Sequence, residues 1–172
     1  MKSTIEDLKQ RRSIRKYKAQ CPGEGLIQQV IEVGTCAPSG MNQQSAIIIS
    51  VTNKEELAVL SKLNAKARGS EGDPMYGAPA ALLVLVRSDS PYGVQDGSLV
   101  MGNLMNAAYA LGLGSCWINR FKDVFELPEG KALLNKWGIE GEYTGLAACI
   151  LGYPDEERQL SPRKENYVYY VK

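Results

Sequence analysis

Gln95-Asp96-Gly97-Ser98-Leu99-Val100-Met101-Gly102-Asn103-Leu104-Met105-Asn106-Ala107-Ala108-Tyr109-Ala110-Leu111-Gly112-Leu113-Gly114-Ser115-Cys116-Trp117-Ile118 is the stretch whose reading decides the fold. From Gln95 to Leu111 it is apolar on nearly every side, through Leu99, Val100, Met101, Leu104, Met105, Ala107, Ala108 and Leu111. A helix of that kind is either central to a domain or shared with a partner chain. Gly97, Gly102 and Ala108 are small enough to let another element approach closely. The glycines at 112 and 114 then break the helix, and Ser115 to Ile118 reads as a strand.

Working outward, Ala81–Val86 is a second apolar run of strand length, and Thr144–Leu151 reads as the last strand. Ala46 to Thr52 is rich in β-branched residues and makes the first. Between these runs the period changes to helical. Ser3-Thr4-Ile5-Glu6 fits a capping box for a helix from Thr4 to about Gln10. Leu26, Ile27, Val30 and Ile31 share one face of a helix that Gly34 or Pro38 ends. Asn53 caps another, with Glu56 three residues on and Leu57, Leu60 and Leu63 facing inward. Glu129 to Trp137 makes one more. Strands and helices are intermixed, which implies an α/β or α+β class.

With 172 residues the chain suits one domain. Hydrophobic residues make up 44% and charged residues 23%, with a formal charge of +1, so no global field draws the protein to nucleic acid or acidic membranes. No apolar stretch has the length of a signal peptide or a membrane span, and a cytoplasmic location is expected. The sequence has no histidine, which removes the commonest metal ligand and the commonest general base together. A zinc site, a Ser-His-Asp triad and a Cys-His dyad are therefore disfavoured. Cys21, Cys36, Cys116 and Cys149 contain no Cys-x-x-Cys pair and read as small buried hydrophobes. Whatever chemistry occurs belongs to a cofactor, and no metal is expected.

Two clusters stand out. Arg11-Arg12-Ser13-Ile14-Arg15-Lys16-Tyr17 packs three guanidinium groups and a hydroxyl into five residues. Forked donors suit a phosphate, at roughly 1.5–3 kcal/mol per charge-assisted bond. In an extended chain Arg11 and Ser13 share one side and Arg12 takes the other. The run alone fits a solvated or RNA-binding patch equally well. The second cluster is Ala37-Pro38-Ser39-Gly40-Met41-Asn42-Gln43-Gln44, where Ser39, Asn42 and Gln44 gather polar groups just before a hydrophobic strand. It could hydrogen-bond the amide edge of a heterocycle, and it could equally be an ordinary loop.

Taken in order, these motifs resemble the nitroreductase family. They are Arg-Arg-Ser-Ile-Arg-x-Tyr, then Ala-Pro-Ser-Gly-x-Asn-x-Gln about 25 residues later, Gly77-Ala78-Pro79-Ala80 before a strand, the helix from Asp96 to Leu111 running into Gly112–Ile118, and the closing Leu151-Gly152-Tyr153-Pro154. The resemblance spans nearly the whole chain.

It implies an α+β, nitroreductase-like fold with a central, mostly antiparallel sheet flanked by helices. Residues 1–172 would form one FMN-binding domain, with 155–172 as a C-terminal extension reaching the partner of a homodimer. Carried over by position, Arg11, Arg12, Ser13 and Arg15 would hold the phosphate, ribityl chain and pyrimidine edge, with Arg15 also a candidate electrostatic stabiliser. Pro38, Ser39, Gly40, Asn42 and Gln44 would border the flavin ring from the other subunit. Asn64 or Lys66 would reach the ring or ribityl chain, Gly114 and Ser115 would form the turn beneath the ring, and Arg163 and Lys164 would meet the phosphate. The chain departs from many relatives in its short Gly69–Gly77 segment and in Gln44-Ser45-Ala46, where they carry Gln-Pro-Trp.

The implied activity is FMN-dependent NAD(P)H oxidoreductase chemistry. NADH or NADPH would be the donor and a nitroaromatic or quinone the small-molecule acceptor, in ping-pong turnover. An FMN carrier or sensor with little turnover is the alternative. Nucleic-acid and membrane partners are not expected, since no helix-turn-helix or RNA-binding motif accompanies the basic run.

Overall fold

The computed structural model describes residues 4–172. Ser3 of the expected capping box lies outside the described residues. Among these residues, six α-helices and four strands follow in the order α1 (Thr4–Gln10), α2 (Glu24–Thr35), β1 (Ala46–Val51), α3 (Lys54–Arg68), β2 (Ala80–Arg87), α4 (Gly93–Ala110), β3 (Gly114–Ile118), α5 (Phe121–Glu126), α6 (Pro128–Lys136) and β4 (Tyr143–Gly152), with one 3-10 turn at Gly40–Asn42 before β1. The strands form one sheet in the order β1-β2-β4-β3, and every pairing is antiparallel.

Alternation along β2 explains the layering. Its side chains point to opposite faces in turn. Ala81, Leu83 and Leu85 join Leu57, Leu60 and Leu63 of α3, Phe121, Val124 and Phe125 of α5 and Leu133 of α6 on one face. Ala80, Leu82 and Val84 meet Ile27 and Val30 of α2 and Val100, Met101, Leu104 and Ala108 of α4 on the other. Residues such as Leu60, Leu82, Met101 and Leu104 are fully buried, each contributing about 1.5–3 kcal/mol through apolar burial. A sheet buried on both faces is why β2 reads as a continuous apolar run.

The helix α4 lies centrally, against α1, α2 and all four strands. Its close approach is at Gly97, where an added Cβ would come within 2.8 Å of Leu146 and Val86 side-chain atoms. The expected second approach at Gly102 is not made among the described residues, none of which lies within 4 Å of a Cβ there. Leu99 and Val94 on the same helix remain exposed.

Asn53 caps α3 as its position predicts, its side chain accepting from the backbone N–H groups of Glu55 at 2.9 Å and Glu56 at 3.0 Å. The reciprocal arm differs: the Glu56 carboxylate instead pairs with Lys136 of α6, tying the two helices together. The short helix α5 had no sequence signal. From Asp155 onward the chain has no helix or strand, and Tyr167, Val168, Tyr169, Tyr170 and Val171 are exposed. Among the described residues no helix is long and apolar enough to cross a membrane.

Candidate functional site

After α1 the basic run leaves the helix and lies along the edge strand β3. Ser13 and Ser115 form a parallel bridge, and the Ile14 N–H donates to the Ser115 carbonyl at 2.9 Å. The approach requires Gly114, because a Cβ there would sit 2.9 Å from three side-chain atoms of Ile14. On its other side the run meets the segment after β4. Lys18 N–H donates to Tyr153 O and Asp155 N–H to Lys16 O, each at 2.9 Å. The Arg15 N–H donates to the Glu156 carboxylate at 2.5 Å. That bond, with a weaker contribution from Arg158, holds Glu156 below the usual glutamate range.

The three arginines do different things. Arg12 turns back on α1, its guanidinium donating to the Lys9 carbonyl at 2.6 Å and to the Arg11 carbonyl, so it satisfies the end of the helix. Arg11, on the opposite side, keeps one terminal nitrogen buried with no partner among the described residues. Arg12 Nε and one Asp7 carboxylate oxygen are in the same condition, while the buried Ser115 hydroxyl lies against the Cys149 thiol. Arg15 is exposed and places its guanidinium 5.9 Å from the centre of the Tyr76 ring. Tyr17 donates to the Ile14 carbonyl at 2.5 Å, and burial, reinforced by the nearby Cys116 and Cys149 thiols, raises its hydroxyl well above the usual range. It is a fixed structural donor.

Tyr76 forms the rim of a cleft of about 190 Å³ lined by Asn64, Arg68, Pro74, Trp117, Asn119 and Arg120, among others. Asn64 is buried in α3 and donates its side-chain N–H to the Asn119 carbonyl at 2.8 Å, fixing the chain just past β3. Tyr76 and Arg120 both have left-handed backbone, at φ 56° and 73°. Such conformations persist in non-glycine residues only where surroundings impose them. Asp73 imposes the first: its carboxylate accepts from Met75 N–H at 2.8 Å and from Gly77 N–H and Ser61, and its carbonyl accepts from Tyr76 N–H at 3.2 Å. Asn119, Arg120 and Tyr76 were not singled out from sequence. Each is an ordinary loop residue by type, and only tertiary contact with Asn64 and Arg15 gathers them.

The Pro38–Gln44 cluster sits elsewhere. Met41, Asn42 and Gln44 have φ of 53°, 53° and 48°, three left-handed residues in one short loop. The loop bonds to itself through Gln44 N–H to Ser39 Oγ and Gln44 Nε2 to Asn42 Oδ1, both at 3.1 Å. Asp96, buried in the first turn of α4, accepts from Gly40 N–H at 2.8 Å and from the Ser45 hydroxyl at 3.0 Å. A Cβ on residue 40 would strike the Tyr92 ring at 2.5 Å, so glycine is required. The loop feeds β1, whereas Ser13 lies beside β3, and these are opposite edges of the sheet. Three strand spacings separate the two edge strands and the basic run lies one more beyond β3, about 19 Å from β1 across the sheet. One copy of the chain does not bring the two clusters together.

The remaining residues divide further. Gly114 and Ser115 open β3 and are not in the turn, which is Leu111–Leu113. Lys66 faces outward and pairs with Glu129 at 2.5 Å, away from the Asn64 cleft. Arg163 and Lys164 belong to the exposed tail, where the Lys164 ammonium lies 5.6 Å from the Tyr167 ring centre.

The Nitroreductase family pattern matches residues 8–161. A Methanothermobacter thermautotrophicus protein, provisionally named NADH dehydrogenase/NAD(P)H nitroreductase, is 30% identical over 157 residues, covering 88% of this chain and 78% of its own. The crystal structure of a nitroreductase with bound FMN from Bacteroides fragilis superposes with a TM-score of 0.92 at 24% identity, covering 100% of both chains. An FMN-dependent nitroreductase from Clostridium difficile R20291 gives 0.82 at 26% identity, covering 98% of this chain and 99% of its own. With the fold and the sequence pattern agreeing over almost its whole length, the chain belongs to the nitroreductase family.

Proposed function

We propose that the protein binds FMN between two copies of itself and works as an NAD(P)H oxidoreductase on a small acceptor. The observation that carries this reading is the cleft at Asn64, Tyr76, Trp117 and Asn119, with Arg15 over its aromatic rim, in a chain of this family. The residues present fit the cofactor. A buried charged donor without an acceptor costs several kcal/mol unless an anion meets it, and Arg11 has such a nitrogen. Arg15 forms no ion pair with a carboxylate among the described residues and is free to face a developing negative charge. Arg12 turns its two terminal nitrogens to carbonyls at the end of α1 but keeps a buried Nε without an acceptor among the described residues, so it stays beside Arg11 as a candidate for the phosphate.

FMN, when bound, supplies hydride uptake from a nicotinamide and electron delivery to the acceptor. Overall, NAD(P)H, a proton and the acceptor give NAD(P)+ and the acceptor reduced by two hydrogens. The chain's own groups bind and orient, and no histidine is present to act as a general acid. Donor and acceptor use one opening, so ping-pong kinetics are expected.

Dimerisation is supported by three features: the two separated clusters, the open edge of β1, and the exposed Tyr167–Val171 segment. Extended tails with unpaired backbone add readily to an open sheet edge. On this reading the Pro38–Gln44 loop of one copy completes the cleft of the other, and Arg163 and Lys164 come with the tail.

The carrier or sensor reading rests on the segment between α3 and β2, which has turns but no helix to cover the cleft. An absorbance spectrum followed by anaerobic addition of NADH or NADPH tests the main reading. Flavin bands that bleach on addition support it; a protein that takes up no FMN removes it. Turnover no faster than that of free FMN would favour the carrier.

A further inference from the structure

The Asn64 cleft carries more positive charge than the chain as a whole. Arg68 and Arg120 line it and Arg15 overhangs its rim, while the net charge of the protein is only +1. Asp123 meets Arg120 at 3.2 Å, and it is the one carboxylate paired with any of these three guanidinium groups among the described residues. Arg68 ends α3 and has no such partner among them. The walls beside these cations are aromatic or apolar, from Tyr76, Pro74, Trp117 and Ile118.

From this juxtaposition we infer that the acceptor is an aromatic anion, its ring against Tyr76 and its carboxylate or sulfonate held by Arg68, with Arg120 in support. The inference rests on the oxidoreductase reading above and adds the acceptor's charge to it. A guanidinium presents forked donors that match a carboxylate's two oxygens, while the bare C-terminal end of a helix would be served by any basic side chain. The strained Tyr76 backbone, held by Asp73, keeps the ring at the cleft mouth.

4-Nitrobenzoate and its neutral isostere 4-nitrobenzamide make the comparison. Each nitro group takes a hydride from NAD(P)H and one solvent proton, giving the nitroso compound and water. For the FMN-loaded protein, kcat/KM for the carboxylate exceeds that for the amide by about tenfold, the size of one charge-assisted hydrogen bond. In Arg68→Gln that ratio collapses towards one, and in Arg68→Lys it falls part of the way, because an ammonium keeps the charge but not the fork. Equal values for the two acceptors in the wild type would overturn the inference. So would a rise in KM for NAD(P)H, instead of for the acceptor, in Arg68→Gln, since the cation would then serve the donor.

Calorimetric titration of the two compounds into the protein, with and without FMN, separates this inference from the reading it rests on. Charge-selective binding in a protein that takes up no flavin keeps the anion site and removes the oxidoreductase. Flavin-dependent turnover with no charge preference does the reverse.

Discussion

The carboxylate of Asp96 accepts the backbone N–H of Gly40 at 2.8 Å, linking the first turn of a central helix to a loop 56 positions earlier in the chain. With its second oxygen on Ser45 at 3.0 Å, it holds both ends of the segment that contains three left-handed residues. Asp96→Ala leaves that N–H and hydroxyl without an acceptor and is expected to cost about 3 kcal/mol. Thermal unfolding reads the loss, and weaker FMN retention should accompany it. A variant as stable as the wild type would show that the loop holds its own shape.

Gly114→Ala drives a methyl group against Ile14 and should separate the basic run from β3. Overpacking of this kind costs about 1–3 kcal/mol. The expected signature is faster amide exchange at Ile14, whose hydrogen bond to Ser115 is lost, together with weaker flavin binding. Unchanged protection at Ile14 would count against the role given to this contact.

Removal of residues 155–172 should weaken both dimer and FMN retention, since it takes away the exposed tail and the Glu156 contact with Arg15. Sedimentation and absorbance at matched concentrations measure the two effects. A truncated protein that stays dimeric and yellow would contradict the dimeric reading of the tail.

Glu156 gives a pH dependence of defined sign. Its carboxyl is held below the ordinary glutamate value, chiefly by the Arg15 N–H, so its stabilisation is complete above about pH 4.3, the unfolded-chain value, and is lost as acid protonates the folded form. The Tm difference between wild type and Glu156→Gln should therefore be constant from pH 6 to about pH 8 and shrink only below that point. A difference that widens on acidification would reverse the assignment.

Cys149 is fully buried, and desolvation, with a further contribution from the neighbouring Cys116, pushes its thiol up to about 12. Thiolate is the reactive form, so Cys116 and Cys149, both buried, should react with a thiol reagent at pH 8 only after unfolding. Mass spectrometry of alkylated peptides from native protein should find both unmodified.

The strands were legible because each is a short apolar or β-branched run, β2 the most continuous of them. Asn53 and the Leu57, Leu60, Leu63 stripe were legible for the same local reason. What escaped depends on distance along the chain. Asp96 looked like the polar start of an apolar helix, and its partners are 51 and 56 residues away. The helix α5 is six residues long with no side-chain cap, too short to show a period. Asn119, Arg120 and Tyr76 acquire meaning only when Asn64 and Arg15 are brought beside them. The differing fates of Arg11 and Arg12 followed from alternation, but which carbonyls Arg12 would satisfy required the end of α1 in place.

The strand order β1-β2-β4-β3, which sets the Pro38–Gln44 loop and the basic run at opposite edges, has a genetic consequence on the dimeric reading. Two damaged alleles, one altered at Arg11 and the other at Asn42, would each encode a defective protein. Co-expressed, their products would pair, and each mixed pair would collect both lesions in one site and leave the other intact. With half of the pairs mixed and one of two sites intact in each, about a quarter of full activity restored from two inactive parents is the behaviour this layout builds in.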